Sequence, residues 1–87
     1  MNLNKQNLIN KIIYRAQYRG TKEMEIFVTS FVKSIIDTLN IDELNELIDI
    51  INLDDENLLK LSNNKNHDSL FTNNKISKKL IDFKKKY

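Results

Sequence analysis

Residues 24–39 read Met24-Glu-Ile-Phe27-Val28-Thr-Ser-Phe31-Val32-Lys-Ser-Ile35-Ile36-Asp-Thr-Leu39. Their large apolar side chains recur at intervals of three, one, three, one, three, one and three residues, the spacing that lines one face of an α-helix. No segment alternates with the period of two that a strand requires for more than a few residues. This stretch therefore decides for an all-α fold, with its helix expected at the centre of the core. Upstream, Leu8, Ile9, Ile12, Ile13 and Ala16 keep the same rhythm and predict a first helix from about Asn4 to Tyr18. Gly20 is then expected to end that helix in the left-handed conformation. Thr21 suits the N-cap of the next helix. Glu23 and Glu25 fall in its first turn, where the helix dipole favours acids.

Downstream, Asn40-Ile-Asp-Glu43 has the form of a cap with an acidic first turn, and Leu44, Leu47, Ile48 and Ile51 mark the inward face of a third helix. Asn52-Leu-Asp-Asp55 repeats the turn-and-cap signal before a short fourth helix bearing Leu58, Leu59 and Leu61. The polar run from Ser62 to Ser69 predicts a loop holding His67, the single histidine, as a solvated residue. A last helix from about Asn73 to Phe83 places Ile76, Leu80 and Phe83 together, and Lys84, Lys85 and Lys86 are expected to fray. The expected architecture is one domain over 1–87, a single small bundle of about five short helices. Its parts are a corner at 15–25, an acidic turn with the fourth helix at 52–62, a polar loop at 62–72, and a basic C-terminal helix and tail at 73–87.

Composition narrows the chemistry. Without Cys there is no disulfide, thiolate metal site or Cys nucleophile, and one His cannot build a His-based zinc site. One Gly leaves no glycine-rich phosphate loop. These exclusions point to a helical binding module and not an enzyme. Asn, Lys and Ile number 13, 12 and 12, as an AT-rich genome would impose, so a lone Lys or Asn carries little information. The two arginines carry more: Arg15 and Arg19 both lie within five residues of Gly20.

Charge is segregated along the chain. Residues 1–22 carry five basic side chains and no acid; 23–59 carry ten acids against Lys33 alone; 60–87 carry eight Lys against two Asp. No run of about 18 apolar residues could span a membrane, and no signal-peptide core is visible. The expected compartment is the cytoplasm of a bacterium, or the mitochondrial matrix in a eukaryote.

Two helices meeting at a tight turn project their polar ends together, so Arg19 and Glu23 are expected to stand exposed on either side of Gly20. A guanidinium there offers a planar fork to carboxylates or carbonyls of a partner, and Gly20 lets another surface approach the backbone. Spacing alone favours the blander reading, in which Arg19 caps carbonyls at the end of the first helix and Glu23 serves the dipole of the second. Asp54, Asp55 and Glu56 read first as a helix start, with a second acidic contact to the same partner as the alternative. Tyr14 and Tyr18, one helical turn apart, are expected to border this surface, with a place in the core as the alternative for either.

The string Arg19-Gly20-Thr21-Lys22-Glu23-Met24-Glu25 resembles the Arg-Gly-x-x-Glu motif of the succinate dehydrogenase FAD assembly factor family. The likeness reaches upstream to Tyr14-Arg15, where the family often has an aromatic followed by Arg. Downstream it reaches Ile50-Ile-Asn-Leu-Asp-Asp-Glu-Asn-Leu-Leu-Lys-Leu61, where the family has two aliphatics, an acidic turn and a helix. Gln17 and Leu61 stand where many members have Trp, Leu59 where they have an aromatic, and Glu25 where Asp is common. The resemblance implies a chaperone-like assembly factor. It would bind the flavoprotein subunit of succinate dehydrogenase, in some members fumarate reductase, and promote covalent attachment of FAD through the flavin 8α methyl to a His of that subunit. It implies no stably bound cofactor; the FAD acted on is the partner's. It also implies a monomer when free, with no nucleic-acid or membrane partner. The partner-binding residues carried over are Arg15, Arg19, Gly20, Glu23, Glu25, Asp54 and Asp55. The competing reading is a small helical adaptor, or a nucleic-acid-binding protein using its basic ends.

Overall fold

The computed structural model describes residues 3–63 and 74–87. Among them are five α-helices and one 3-10 turn, and no strand: α1 (Leu3–Gln17), α2 (Lys22–Ile35), the 3-10 turn Ile36–Thr38, α3 (Ile41–Ile51), α4 (Asp55–Ser62) and α5 (Lys75–Lys86). Ser62, placed in the polar loop by the sequence reading, is instead the buried last residue of α4, with Asn63 as its C-cap. The rest of that loop, with His67, lies outside the described residues.

The caps read in the sequence form. The Thr21 hydroxyl accepts the Met24 N–H at 3.2 Å. Asn40 and Glu43 make a reciprocal capping box, with Glu43 N–H donating to Asn40 at 2.8 Å and Asn40 N–H donating to the Glu43 carboxylate at 3.0 Å. Asp54 caps α4 by accepting the Asn57 N–H at 2.9 Å. One cap has no counterpart in the sequence signals. Asn74, buried, accepts the N–H groups of Ile76 and Ser77 and donates its side-chain amide to the Glu46 carbonyl at 3.2 Å, tying the start of α5 to α3.

The apolar face of α2 is buried as expected, with Phe31, Val28 and Val32 each 1% exposed. The helix itself stops at Ile35, where the chain tightens into the 3-10 turn. The hydroxyls of Ser34 and Thr38 bond back to the carbonyls of Phe31 and Ile35 at 2.6 and 2.8 Å. Ile36 and Leu39 still point inward through this turn, so the apolar rhythm outlasts the α-helix.

The centre of the bundle is α3 and not α2. The close helix pairings are α1 with α2, α1 with α3, α3 with α5, and α4 with α5. In α3, Leu44, Leu47, Ile48, Ile50 and Ile51 are all buried, a span wide enough to face neighbours on two sides. α2 reaches α5 through rings instead: Phe83 stands 5.8 Å from Phe27 and 5.5 Å from Phe31, centroid to centroid.

That ring cluster also corrects the expectation of a frayed basic end. α5 continues to Lys86. Tyr87 meets Phe27 edge-on at 5.1 Å and Phe83 at 5.6 Å, and Lys84 Nζ lies 5.6 Å above the Phe27 ring. Aromatic and cation–π contacts of about 0.5–1.5 kcal/mol each hold the last turn against the three-lysine repulsion.

Candidate functional site

The corner between α1 and α2 meets the turn between α3 and α4, although 35 residues separate them in sequence. Arg19 makes the joint. Its side chain is only 5% exposed, against the exposure expected of it. Its Nη1 donates to the Leu53 carbonyl at 2.9 Å and faces Asp55 Oδ1 at 3.4 Å. Its Nη2 donates to the carbonyl of Ile51 and, at 3.5 Å, to that of Arg15. Helix C-termini leave carbonyls unsatisfied and carry partial negative charge. One guanidinium here serves the ends of both α1 and α3. The capping alternative is therefore the one realised for Arg19, extended to α3.

Asp55 closes the joint from the other side. Its Oδ2 accepts the Gly20 N–H at 2.7 Å while Oδ1 faces Arg19. This fixes the reason for glycine. Gly20 does not adopt the left-handed backbone expected of it; instead a Cβ at this position would lie 3.0 Å from Asp55 Oδ2. Gly20→Ala should therefore push the carboxylate off the backbone N–H and cost about 1 kcal/mol. A melting temperature about 4–8 °C lower would show it. A melt unchanged from the parent would mean that Asp55 yields without loss.

The joint frames an open cleft of about 350 Å³ lined by Arg15, Tyr18, Arg19, Gly20 and residues 51–55. Arg19 is neutralised by Asp55. Arg15, exposed and in no ion pair among the described residues, is the free cation of the cleft. Asp54 is the exposed acid opposite, although its Oδ1 is engaged as a cap. Tyr18 is 66% exposed, and its ring lies 4.5 Å from that of Tyr14. The Tyr18 phenol is held above its ordinary pKa of 10.0, first by hydrogen bonding with Tyr14 and then by its electrostatic interaction with that ring's hydroxyl.

The structure thus gathers Arg15, Arg19, Gly20, Asp54 and Asp55 and leaves two expected residues outside. Glu23 is exposed on the first turn of α2 and does not line the cleft. Glu25 is half-buried, pairs with Lys22 at 3.6 Å and lines a separate cleft with Gln17, Ile26, Thr29, Ser30 and Lys33. Sequence reading missed the carbonyls of Ile51 and Leu53, which have no side-chain signature. The one available signal was a scarce Arg and an acidic turn in the same chain. Among the described residues no group of three or more His, Cys, Asp or Glu is placed to hold a metal ion.

A family model described as flavinator of succinate dehydrogenase matches residues 10–84, a span containing both halves of the cleft. No curated protein and no solved structure matches the chain.

Proposed function

Since the chain belongs to the flavinator of succinate dehydrogenase family, and is thereby an assembly factor for FAD attachment, we propose that it docks on the flavoprotein subunit through the Arg15–Tyr18 cleft. The observation carrying this reading is the joint itself. The Arg-Gly corner and the acidic turn, the two blocks of the sequence resemblance, are locked into one open surface by Arg19 and Asp55. In this reading Arg15, Tyr18 and Asp54 meet the subunit, with Glu23 at the edge of the contact. Arg19, Gly20 and Asp55 hold the surface in shape. Glu25, turned toward the second cleft, contributes least.

The factor contributes no catalytic group. FAD and the accepting His belong to the subunit, and the flavin supplies the electrophilic 8α position. Holding the subunit so that these groups meet, with water excluded, can contribute many orders of magnitude by orientation alone. The chain acts as a monomer in the compartment where the subunit folds and keeps no cofactor of its own.

Co-expression with the flavoprotein subunit tests this, with covalent flavin read by in-gel fluorescence after acid denaturation. An Arg lost from a desolvated contact costs about 2 kcal/mol or more, or roughly 30-fold in affinity. Arg15→Glu and Tyr18→Ala should each cut covalent flavin sharply at limiting factor while leaving the melting temperature within about 2 °C of the parent, since both side chains are exposed. Full flavin attachment by both folded variants would remove the cleft from the mechanism.

A further inference from the structure

α5 carries a second surface, on the side away from its buried residues. Its exposed residues are Lys75, Lys78, Lys79, Asp82, Lys85 and Lys86, spaced three, one, three, three and one apart. They form a single stripe about 16 Å long at the helical rise. None of these lysines is in an ion pair among the described residues. Compositional bias does not account for the stripe. Asn is as abundant in the chain as Lys, yet α5 contains none, and five of its six outward positions are Lys. A net charge of +2 would give the whole molecule little attraction to any polyanion. The attraction comes from placing the lysines on one helix and most of the acids on α2, α3 and α4.

We propose that this lysine stripe binds the surface of a membrane rich in anionic phospholipid. The lysines lie along one face of one helix, which fits a plane of headgroups, and Lys79 and Lys86 also border a cleft with Phe31, Ser34 and Ile35 of α2. Its outward residues include no Arg, Asn or Gln, the side chains that fork phosphates or read base edges in nucleic acid. The apolar face of α5 is already occupied, with Ile76 fully buried and Leu80 1% exposed, so the helix has no free face to insert among acyl chains. Binding is therefore electrostatic, peripheral and reversible, and needs no membrane-spanning segment. It would hold the factor near a bilayer while the cleft, formed by other elements, stays open.

Co-sedimentation of the full chain with vesicles decides it. Each lysine near an anionic surface contributes about fivefold in partitioning. At about 50 mM salt the chain should sediment with phosphatidylcholine vesicles containing about 30% phosphatidylglycerol. It should stay in the supernatant with pure phosphatidylcholine, and should leave the anionic vesicles at about 500 mM salt, where charges are screened within a few ångströms. The triple variant Lys78→Gln, Lys79→Gln, Lys85→Gln should bind on the order of 100-fold more weakly with an unchanged thermal melt. Lys75→Gln with Lys86→Gln, on the same stripe, should lose on the order of 25-fold. Both variants should still support flavin attachment in co-expression, which separates this surface from the cleft. The proposal is overturned by binding to pure phosphatidylcholine, by binding that survives high salt, or by unchanged affinity in both variants. Binding to a DNA duplex without partitioning onto anionic vesicles also overturns it.

Discussion

Arg19→Ala is expected to lower stability by about 2–4 kcal/mol, and to lose flavin attachment through that loss of structure and not through a missing contact. The substitution leaves the carbonyls of Ile51 and Leu53 and the Asp55 carboxylate without the cation they face. Each buried group left unpaired costs about 1–3 kcal/mol. The Asp55 side chain is 27% exposed, so water recovers part of its share, which keeps the total below the 3–5 kcal/mol typical of a fully buried broken pair. In a domain this size the melting temperature should fall by roughly 10–25 °C. Arg19→Lys should recover little, because an ammonium presents one point charge where the guanidinium divides its donors between two helix ends. A circular-dichroism melt checks both variants. An Arg19→Ala chain that melts with the parent yet attaches no flavin would show that Arg19 works on the partner after all.

Phe31→Ala should cost about 3–5 kcal/mol, the usual range for removing a ring from a packed core. Phe31 is 1% exposed and packs against Phe83 across the α2–α5 boundary. The cavity would sit where two helices are held mainly by ring contacts, so α5 should loosen along with it. Since small domains have only about 5–15 kcal/mol in total, urea unfolding should show the variant with little or no folded baseline at room temperature. Phe31→Leu keeps most of the apolar volume and should be milder. A loss below about 1 kcal/mol in Phe31→Ala would contradict the burial of this ring.

The helices were legible because their signals are local. Apolar spacing over Met24–Leu39 and the caps at Thr21, Asn40 and Asp54 depend on residues within a turn of one another. The joint was not legible because it depends on distance in space. Periodicity places Arg19 at a corner but does not say which backbone carbonyls arrive beside it. Ile51 and Leu53 act through groups that every residue carries. Gly20 was read for its backbone freedom, whereas the fold uses its missing side chain. The end of α5 misled for a related reason: three consecutive lysines look like a solvated tail until Phe27 is known to lie beneath Lys84 and Tyr87. The central place of α3 was hidden because its apolar face is as one-sided as that of α2, and periodicity does not say how many neighbours a helix packs against.

The Arg19–Asp55 joint spans 36 residues, which has a consequence for when the molecule becomes competent. During synthesis the corner leaves the ribosome well before the turn that completes it, and a contact of such long sequence separation forms only after the intervening loop entropy has been overcome. Until α1 and α3 have docked, the cleft is two unrelated strips of chain. On the proposed reading of the cleft as the docking surface, a nascent or partly unfolded factor would lack that surface, and recognition would be confined to finished molecules.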